Sequence, residues 1–364
     1  MASTSYDTVW PADSVEFCPH PEAVDIFACG TYKLEQQDPE VQTDEENQPA
    51  RRTPQTRRGK CLLFQVDFNR DEQPSLVHET SLPAVLDMKW CHRASSVPPL
   101  LGITDSEGNV SLHSYEFETK HLNLVQNIPC ASSDILVLSL DWDNRRFPAG
   151  DLGSLVVSLS NGSLSILRQD DSHELVVTDT WHAHDYEPWI AAWNYWDPNV
   201  LYSGGDDLKL RGWDVRAGFL QSTFTNKRFD AGVTTIQSHP FIEHLVAVGS
   251  YDNTVRLFDM RSPLKPLVQA DVGGGAWRVK WHPSPERKHD LLVACMHDGC
   301  KILNFSLEDE NDSGLVVRSH AVTKRFDKHE SMAYGADWSF APSKGKTVIG
   351  SCSFYDHLLQ LWQG

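Results

Sequence analysis

The chain has 364 residues, 40% hydrophobic and 10% aromatic, with a formal net charge of −18. That is ample for a buried core. The acidic balance argues against nucleic acid or an anionic membrane as the main partner, because binding phosphates calls for a Lys/Arg surplus. The eight cysteines form no Cys-x-x-Cys pair, and there is neither an apolar leader nor a long apolar run, so a reduced, cytoplasmic, soluble protein is expected.

In chain order, Tyr6 to Trp10 come first as a spare strand, and Ser14-Val15-Glu16-Phe17 opens a repeat. Each unit is a short alternating run closed by Trp or Phe. It returns at Leu86 to Trp90, Leu138 to Trp142, Trp189 to Trp193, Trp277 to Trp281 and Tyr334 to Trp338. Thr234 to Ser238 fits with Ser in the last place, and His239-Pro240 follows it as His282-Pro283 follows Trp281. The mean spacing from Phe17 to Trp338 is about 54 residues, near the range of WD40 and kelch repeats. A second apolar run, a Gly/Asp/Asn turn and a third alternating run follow each marker, as in Leu245 to Ser250, Tyr251-Asp252-Asn253 and Thr254 to Asp259. Period-2 patterns between such turns are the strands of a meander.

The run Tyr202 to Asp214 ends in Trp213-Asp214, the form of a WD repeat. One such unit cannot bury its faces alone. The fold class expected is therefore all-β: a single domain over residues 1–364, a seven-bladed WD40 β-propeller whose last blade ends at Leu359 to Trp362 and is closed by the spare N-terminal strand. A polar stretch at 35–58 breaks the pattern and is expected to be a disordered insertion in the first blade, with docking as the functional alternative. Glu308 to Ser313 reads as a shorter acidic loop.

Loops entering the first strand and turns between the second and third strands share one face in such a ring. That face collects Glu187, Trp189, Asp206, Tyr251, Trp277, Arg278, His297 and Tyr334, and its central mouth is the default ligand site. Trp189, Trp277 and Tyr334 hold equivalent positions at the start of three first strands. Three aromatics at one mouth suit a quaternary ammonium, whose charge is met by negative ring faces. The competing role of any one of them is packing between blades. His297 could act as a base toward water, or be a surface turn residue. Asp207 and His184 belong to the structural hydrogen-bond network of a WD blade, with Ser203 and Trp213, which leaves Asp206 as the candidate functional acid. His182-Ala183-His184-Asp185 offers two metal ligands on one strand face but no third. No metal or cofactor is expected. No Gly-x-Ser-x-Gly elbow is present, and no Gly-rich phosphate loop follows a strand.

The segments Ala12 to Pro19, Ala28 to Tyr32, Leu86 to His92, Glu187 to Trp196, Tyr202 to Asp207, Ala294 to His297 and Tyr334 to Trp338 resemble the WD-repeat proteins of diphthamide biosynthesis, the diphthine methyl ester hydrolase family. The resemblance runs from Asp13 to Trp338. It implies a step in modifying one histidine of translation elongation factor 2. An intermediate bearing a trimethylammonium and a methyl ester is hydrolysed to diphthine and methanol before a final ATP-dependent amidation. It supplies no catalytic residues to carry over. On that expectation the aromatic trio holds the trimethylammonium, with Glu187 and Tyr251 beside it. His297 or Asp206 activates water, and Arg278 or a backbone N–H meets the developing oxyanion. The partner expected is elongation factor 2, together with other enzymes of the same pathway, and the chain is expected to be a monomer. The competing class is a non-catalytic interaction module. Trp213-Asp214-Val215-Arg216 and Phe258-Asp259-Met260-Arg261 match endings seen in substrate receptors of cullin-RING ubiquitin ligases. A scaffold for diphthamide enzymes belongs to the same class.

Overall fold

The computed structural model of the chain describes residues 3–35, 55–68, 73–148, 150–310, 314–342 and 345–364. They form seven antiparallel sheets. Blade 1 is built from Ala12–Phe17, Ile26–Thr31, Arg57–Val66 and Pro74–Pro83, and blade 2 from Val85–Trp90, Leu100–Asp105, Asn109–Glu116 and His121–Pro129. Blade 3 is Val137–Trp142, Leu155–Leu159, Ser163–Gln169 and Leu175–His182, and blade 4 is Ile190–Trp193, Val200–Gly204, Leu210–Asp214 and Phe224–Asn226. Blade 5 is Val233–Ser238, Leu245–Ser250, Thr254–Asp259 and Val268–Asp271, and blade 6 is Arg278–Trp281, Asp290–Ala294, Cys300–Glu310 and Gly314–Phe326. Blade 7 takes three strands from the end of the chain, Ala333–Trp338, Val348–Ser353 and Leu358–Gln363, and its fourth, Thr4–Asp7, from the beginning.

Each first strand lies against the first strand of the next blade, and Ala333–Trp338 lies against Ala12–Phe17, which closes the ring. Apolar side chains gather into seven buried clusters, one at each seam between neighbouring blades. No blade therefore has a core of its own, and burial is a property of pairs.

The inner strands of adjacent blades do not pair edge to edge. Their inter-blade N–H groups are instead taken by side chains of the preceding blade. Asp337 Oδ2 accepts from Phe17 N at 2.8 Å, Asp141 Oδ2 from Trp193 N at 2.8 Å and Gln237 Oε1 from Trp281 N at 2.6 Å. Indoles return the bond: Trp90, Trp142 and Trp338 each donate Nε1 to a carbonyl of the blade before, Glu16 O at 3.0 Å, Lys89 O at 3.0 Å and Lys280 O at 2.9 Å. At these three seams the Trp is a clip as well as a filler, whereas Trp193 and Trp281, whose indole N–H groups find no partner among the described residues, only fill. In blade 5, Ser238 substitutes for the Trp, donating to Trp193 O at 3.0 Å.

The network expected around Trp213 is present. His184 meets Asp207 at 2.8 Å and Ser203 at 2.7 Å, and Trp213 Nε1 donates to Ser203 Oγ at 2.9 Å. Blade 7 carries a second version, with His329 bridging Ser351 and Ser353 at 2.7 Å each and Trp362 Nε1 donating to Ser351 Oγ at 3.0 Å.

Two loop boundaries differ from expectation. Arg57 and Arg58, assigned with the 35–58 insertion, pair with Leu34 and Lys33, while residues 36–54 lie outside the described residues. Glu308, Asp309 and Glu310, assigned to an acidic loop, continue a strand because they find ladder partners in Val316, Leu315 and Gly314. Residues 311–313 lie outside the described residues.

The N-terminal segment is stitched at several points. Thr4 to Asp7 pair with Leu361 to Leu358, Thr8 N donates to His357 O at 2.9 Å, and Tyr6 packs edge-on against Phe64 at 4.9 Å. Removing residues 1–10 exposes the edge of Leu358–Gln363 and opens the ring. Tm should fall by about 5 °C or more in a thermal melt, and an unchanged melt would show that the strand does not close the fold.

Candidate active site at the mouth of the central channel

Four residues before each clip position, every blade presents one side chain at the mouth: Asp13, Leu86, Leu138, Trp189, Thr234, Trp277 and Tyr334. In blades 1, 2, 3, 5 and 7 the ladder with the second strand shifts register at this point. Such a bulge re-aims the extra residue away from the sheet.

The aromatics form an arc. Trp189 and Trp277 have ring centroids 5.6 Å apart, Tyr251 lies 6.4 Å from Trp189 and 5.6 Å from Trp277, and Tyr334 lies 5.0 Å from Trp277. Phe354 extends the arc at 5.5 Å from Tyr334. Trp189 and Trp277 meet across blade 5 because that blade contributes only Thr234, whose hydroxyl is turned to Ala276 O at 2.5 Å. All five rings are partly exposed. Adjacent rings touch, so a cation would rest on the exposed side of the arc rather than be encircled.

One layer down, the channel is charged. Lys280 Nζ lies 2.6 Å from Glu16 Oε1, and Lys89 Nζ lies 2.9 Å from the same oxygen and 2.7 Å from Asp87 Oδ1. Arg278 reaches Asp87 Oδ1 at 3.2 Å. Burial alone would raise the Glu16 carboxyl, but Lys280 and Lys89 more than offset it and bring it to about 2. Burial wins at three other carboxyls. It carries Asp13 to about 7 against the pull of Arg278, Asp141 to about 7 against the Trp193 amide and Lys89, and Asp337 to about 6 against Lys280.

The expected site residues fall into groups. Trp189, Trp277, Tyr334 and Tyr251 come together. Asp206 joins them, accepting from Trp189 Nε1 at 3.2 Å, and its own N–H donates to Glu187 O at 2.9 Å. Asp206 therefore orients an arc residue. Arg278 is buried beneath the arc and paired with Asp87. His297 is exposed in its turn and makes no hydrogen bond to another described residue. Glu187 is partly exposed beside Asp206.

Asp13 was missed as a site residue. The signal was available: counting four back from Phe17 gives the same register as Trp189. The pairs Arg278–Asp87 and Lys280–Glu16 were missed because their partners come from non-adjacent blades. His182 is exposed and His184 belongs to the Trp213 network. Among the described residues, no group of three or more His, Cys, Asp and Glu side chains is placed to hold a metal ion.

A small cavity of about 20 Å³ lies at the opposite end of the channel, lined in part by Glu16, His92, Arg145, Lys280, Asp337 and Phe340. Its acids are already used, Glu16 by Lys280 and Asp337 by the Phe17 amide. Burial, with Arg145 and Lys280, holds His92 well below the ordinary histidine value.

Known proteins agree with this architecture. A human protein named diphthine methyltransferase is 38% identical over 367 residues, covering 98% of this chain and 79% of its own. A homologue of that name from Dictyostelium discoideum is 35% identical, with 97% and 96% covered, and one from Schizosaccharomyces pombe is 32% identical, with 99% and 97% covered.

The chain belongs to the diphthine methyltransferase family. No protein-family profile matches it. A chain of the mitotic checkpoint complex superimposes with a TM-score of 0.65 at 15% identity, covering 99% of this chain and 90% of its own. At that identity it shows only that the family member has a propeller's shape. No helix among the described residues is long and apolar enough to cross a membrane. The two Asp-x-Arg endings are occupied internally. Arg216 binds Asp214 at 2.7 Å and Asp197 at 3.0 Å, and Arg261 Nε binds Asp259 at 2.9 Å. Their packing role accounts for the sequence match.

The buried acids make stability depend on pH. Asp141 has a folded value near 7 against an ordinary value of 3.8, so the fold binds its proton more tightly than the unfolded chain does. Its contribution is then lost as pH rises from about 4 to 7. Asp141→Asn keeps an acceptor for the Trp193 amide without the charge. Its Tm advantage over wild type should be absent near pH 4, grow to pH 7 and level off above, as measured by melts across that range.

Proposed function

We propose that this chain hydrolyses the methyl ester of the methylated diphthine side chain on translation elongation factor 2, releasing methanol and leaving diphthine for later amidation. The observation that carries this reading is the arc Trp189–Tyr251–Trp277–Tyr334, partly exposed at the mouth directly above Arg278. A trimethylammonium cannot donate a hydrogen bond and is held by ring faces. The ester beside it would then lie at the mouth, where charge developing on the carbonyl oxygen meets the field of Arg278. Asp206 acts through Trp189, fixing the indole plane. Glu187 and His297 stand on the rim.

The substrate is a side chain of a large protein, so a docking surface is needed around the mouth. Tyr186, Leu208, Tyr355 and Val9 lie on the loops and turns of this face, 64%, 39%, 67% and 68% exposed. Apolar groups left in water on one rim support a protein partner there. The relatives are named for methyl transfer on diphthine. Hydrolysis moves the same methyl group to water and needs no donor cofactor.

The test is to incubate the purified chain alone with methylated elongation factor 2 and follow methanol, with labelled S-adenosylmethionine in a parallel tube. Methanol release without label incorporation is expected, and the reverse would overturn the reading. Trp277→Ala should raise KM about 3- to 30-fold, the loss of one cation–π partner. Near-normal kinetics for Trp277→Ala and His297→Ala together would remove the mouth from consideration.

A further inference from the structure

We infer that Asp13 is the general base of this site, deprotonating the water that attacks the ester carbonyl. The inference rests on the hydrolase reading above. Asp13 is the one carboxylate among the seven mouth positions; the others are three aromatics, two leucines and a threonine already bonded to Ala276 O. It sits at the register shift between Ala12 and Ser14, the same bulge that Leu86, Leu138, Thr234 and Tyr334 occupy in their blades. Its ring neighbour on one side is Tyr334, the end of the arc that follows Trp277. A cation resting on Trp277 and Tyr334 therefore brings the ester it carries to Asp13.

The groups facing Asp13 are Arg278 from blade 6, Asp87 from blade 2, Tyr334 and Cys352 from blade 7, and Tyr251 from blade 5. Of these, Asp87 is held by two cations, Lys89 and Arg278, and is not free to take a proton. Burial lifts the Tyr251 and Tyr334 hydroxyls, Tyr334 to about 12, and keeps the Cys352 thiol protonated well above its ordinary range. None of the other three competes for the water proton near neutrality. The Asp13 carboxyl, raised to about 7 by burial, is matched to that task.

The step balances. Asp13 carboxylate takes one proton from water, and the hydroxide oxygen bonds to the carbonyl carbon. The carbonyl electron pair moves to oxygen, where Arg278 faces it. Collapse of this intermediate breaks the bond to the methoxy oxygen, which takes the proton back from Asp13 and leaves as methanol. The product carboxylic acid then ionises.

Steady-state methanol release by wild type, Asp13→Asn and His297→Ala tests the assignment. Asp13→Asn should lower kcat by about 10²- to 10⁴-fold with KM little changed. A carboxylate serving only to attract the cation would raise KM instead and overturn the role. Wild-type kcat/KM should rise with pH through about 7, and the variant should lose that limb. A flat wild-type profile overturns the assignment even if Asp13→Asn fails to fold. So does loss of turnover confined to His297→Ala, or an Asp13→Asn rate within threefold of wild type. A wild-type chain that releases no methanol overturns the hydrolase reading itself, and the base with it.

Discussion

Everything in this molecule depends on how one inner strand holds the next. The inner strands lie side by side without a shared ladder, so each leaves amides facing its neighbour inside a buried wall. An unpaired buried amide costs as much as a lost hydrogen bond. Side chains of the preceding blade satisfy them: Asp337, Asp141 and Gln237 at one level, Asp87, Ser139 and Thr235 at the level above. Polar residues must therefore line the channel. Lys89, Lys280 and Arg278 neutralise the Glu16 and Asp87 carboxylates placed there, pairing across the ring as well as around it.

This division of labour frees the mouth. The two lower levels are committed to joining blades, and changing them disturbs the scaffold. The level above carries no clip apart from Thr234, so its residues can be selected for a ligand. Aromatics fill one side and a carboxyl the other, with the charged layer directly beneath. The site is an end of the channel whose walls the architecture had already made polar, electrostatically poised and rigid.

The fold was legible because each blade repeats its period-2 runs and its terminal Trp. Even Thr234 to Ser238, lacking the Trp, was placed correctly by the His-Pro that follows. The closing strand was legible as a strand without a partner at one end and a partner without a strand at the other, but its bounds were not: it runs Thr4–Asp7, and of the expected Tyr6 to Trp10 only Tyr6 and Asp7 belong to it. The aromatic arc was half legible. Register brought Trp189, Trp277 and Tyr334 to one mouth, but not their mutual contact, which depends on Thr234 being small. The pairing of Arg278 with Asp87 was invisible because it joins blades 6 and 2, a relation set by the diameter of the ring. Asp13 was overlooked for a different reason: the register that singled out Trp189, Trp277 and Tyr334 was followed only to aromatic residues, and counting four back from Phe17 reaches a carboxyl instead. The second histidine network, at His329, escaped because two serines divide the work that Ser203 and Asp207 do in blade 4.

The strand Thr4–Asp7 finds its place only against Leu358–Gln363. During synthesis it precedes every other strand of the ring, and its partner follows them all. Until then the growing chain carries an unpaired leader at one end and an unfinished blade at the other, each an open edge for pairing with another chain. The ring cannot be assembled as a series of finished domains. Folding is completed by a contact between the first and the last strand of the ring, which favours slow, cooperative assembly and makes loss of Leu358–Gln363 a defect of the whole ring.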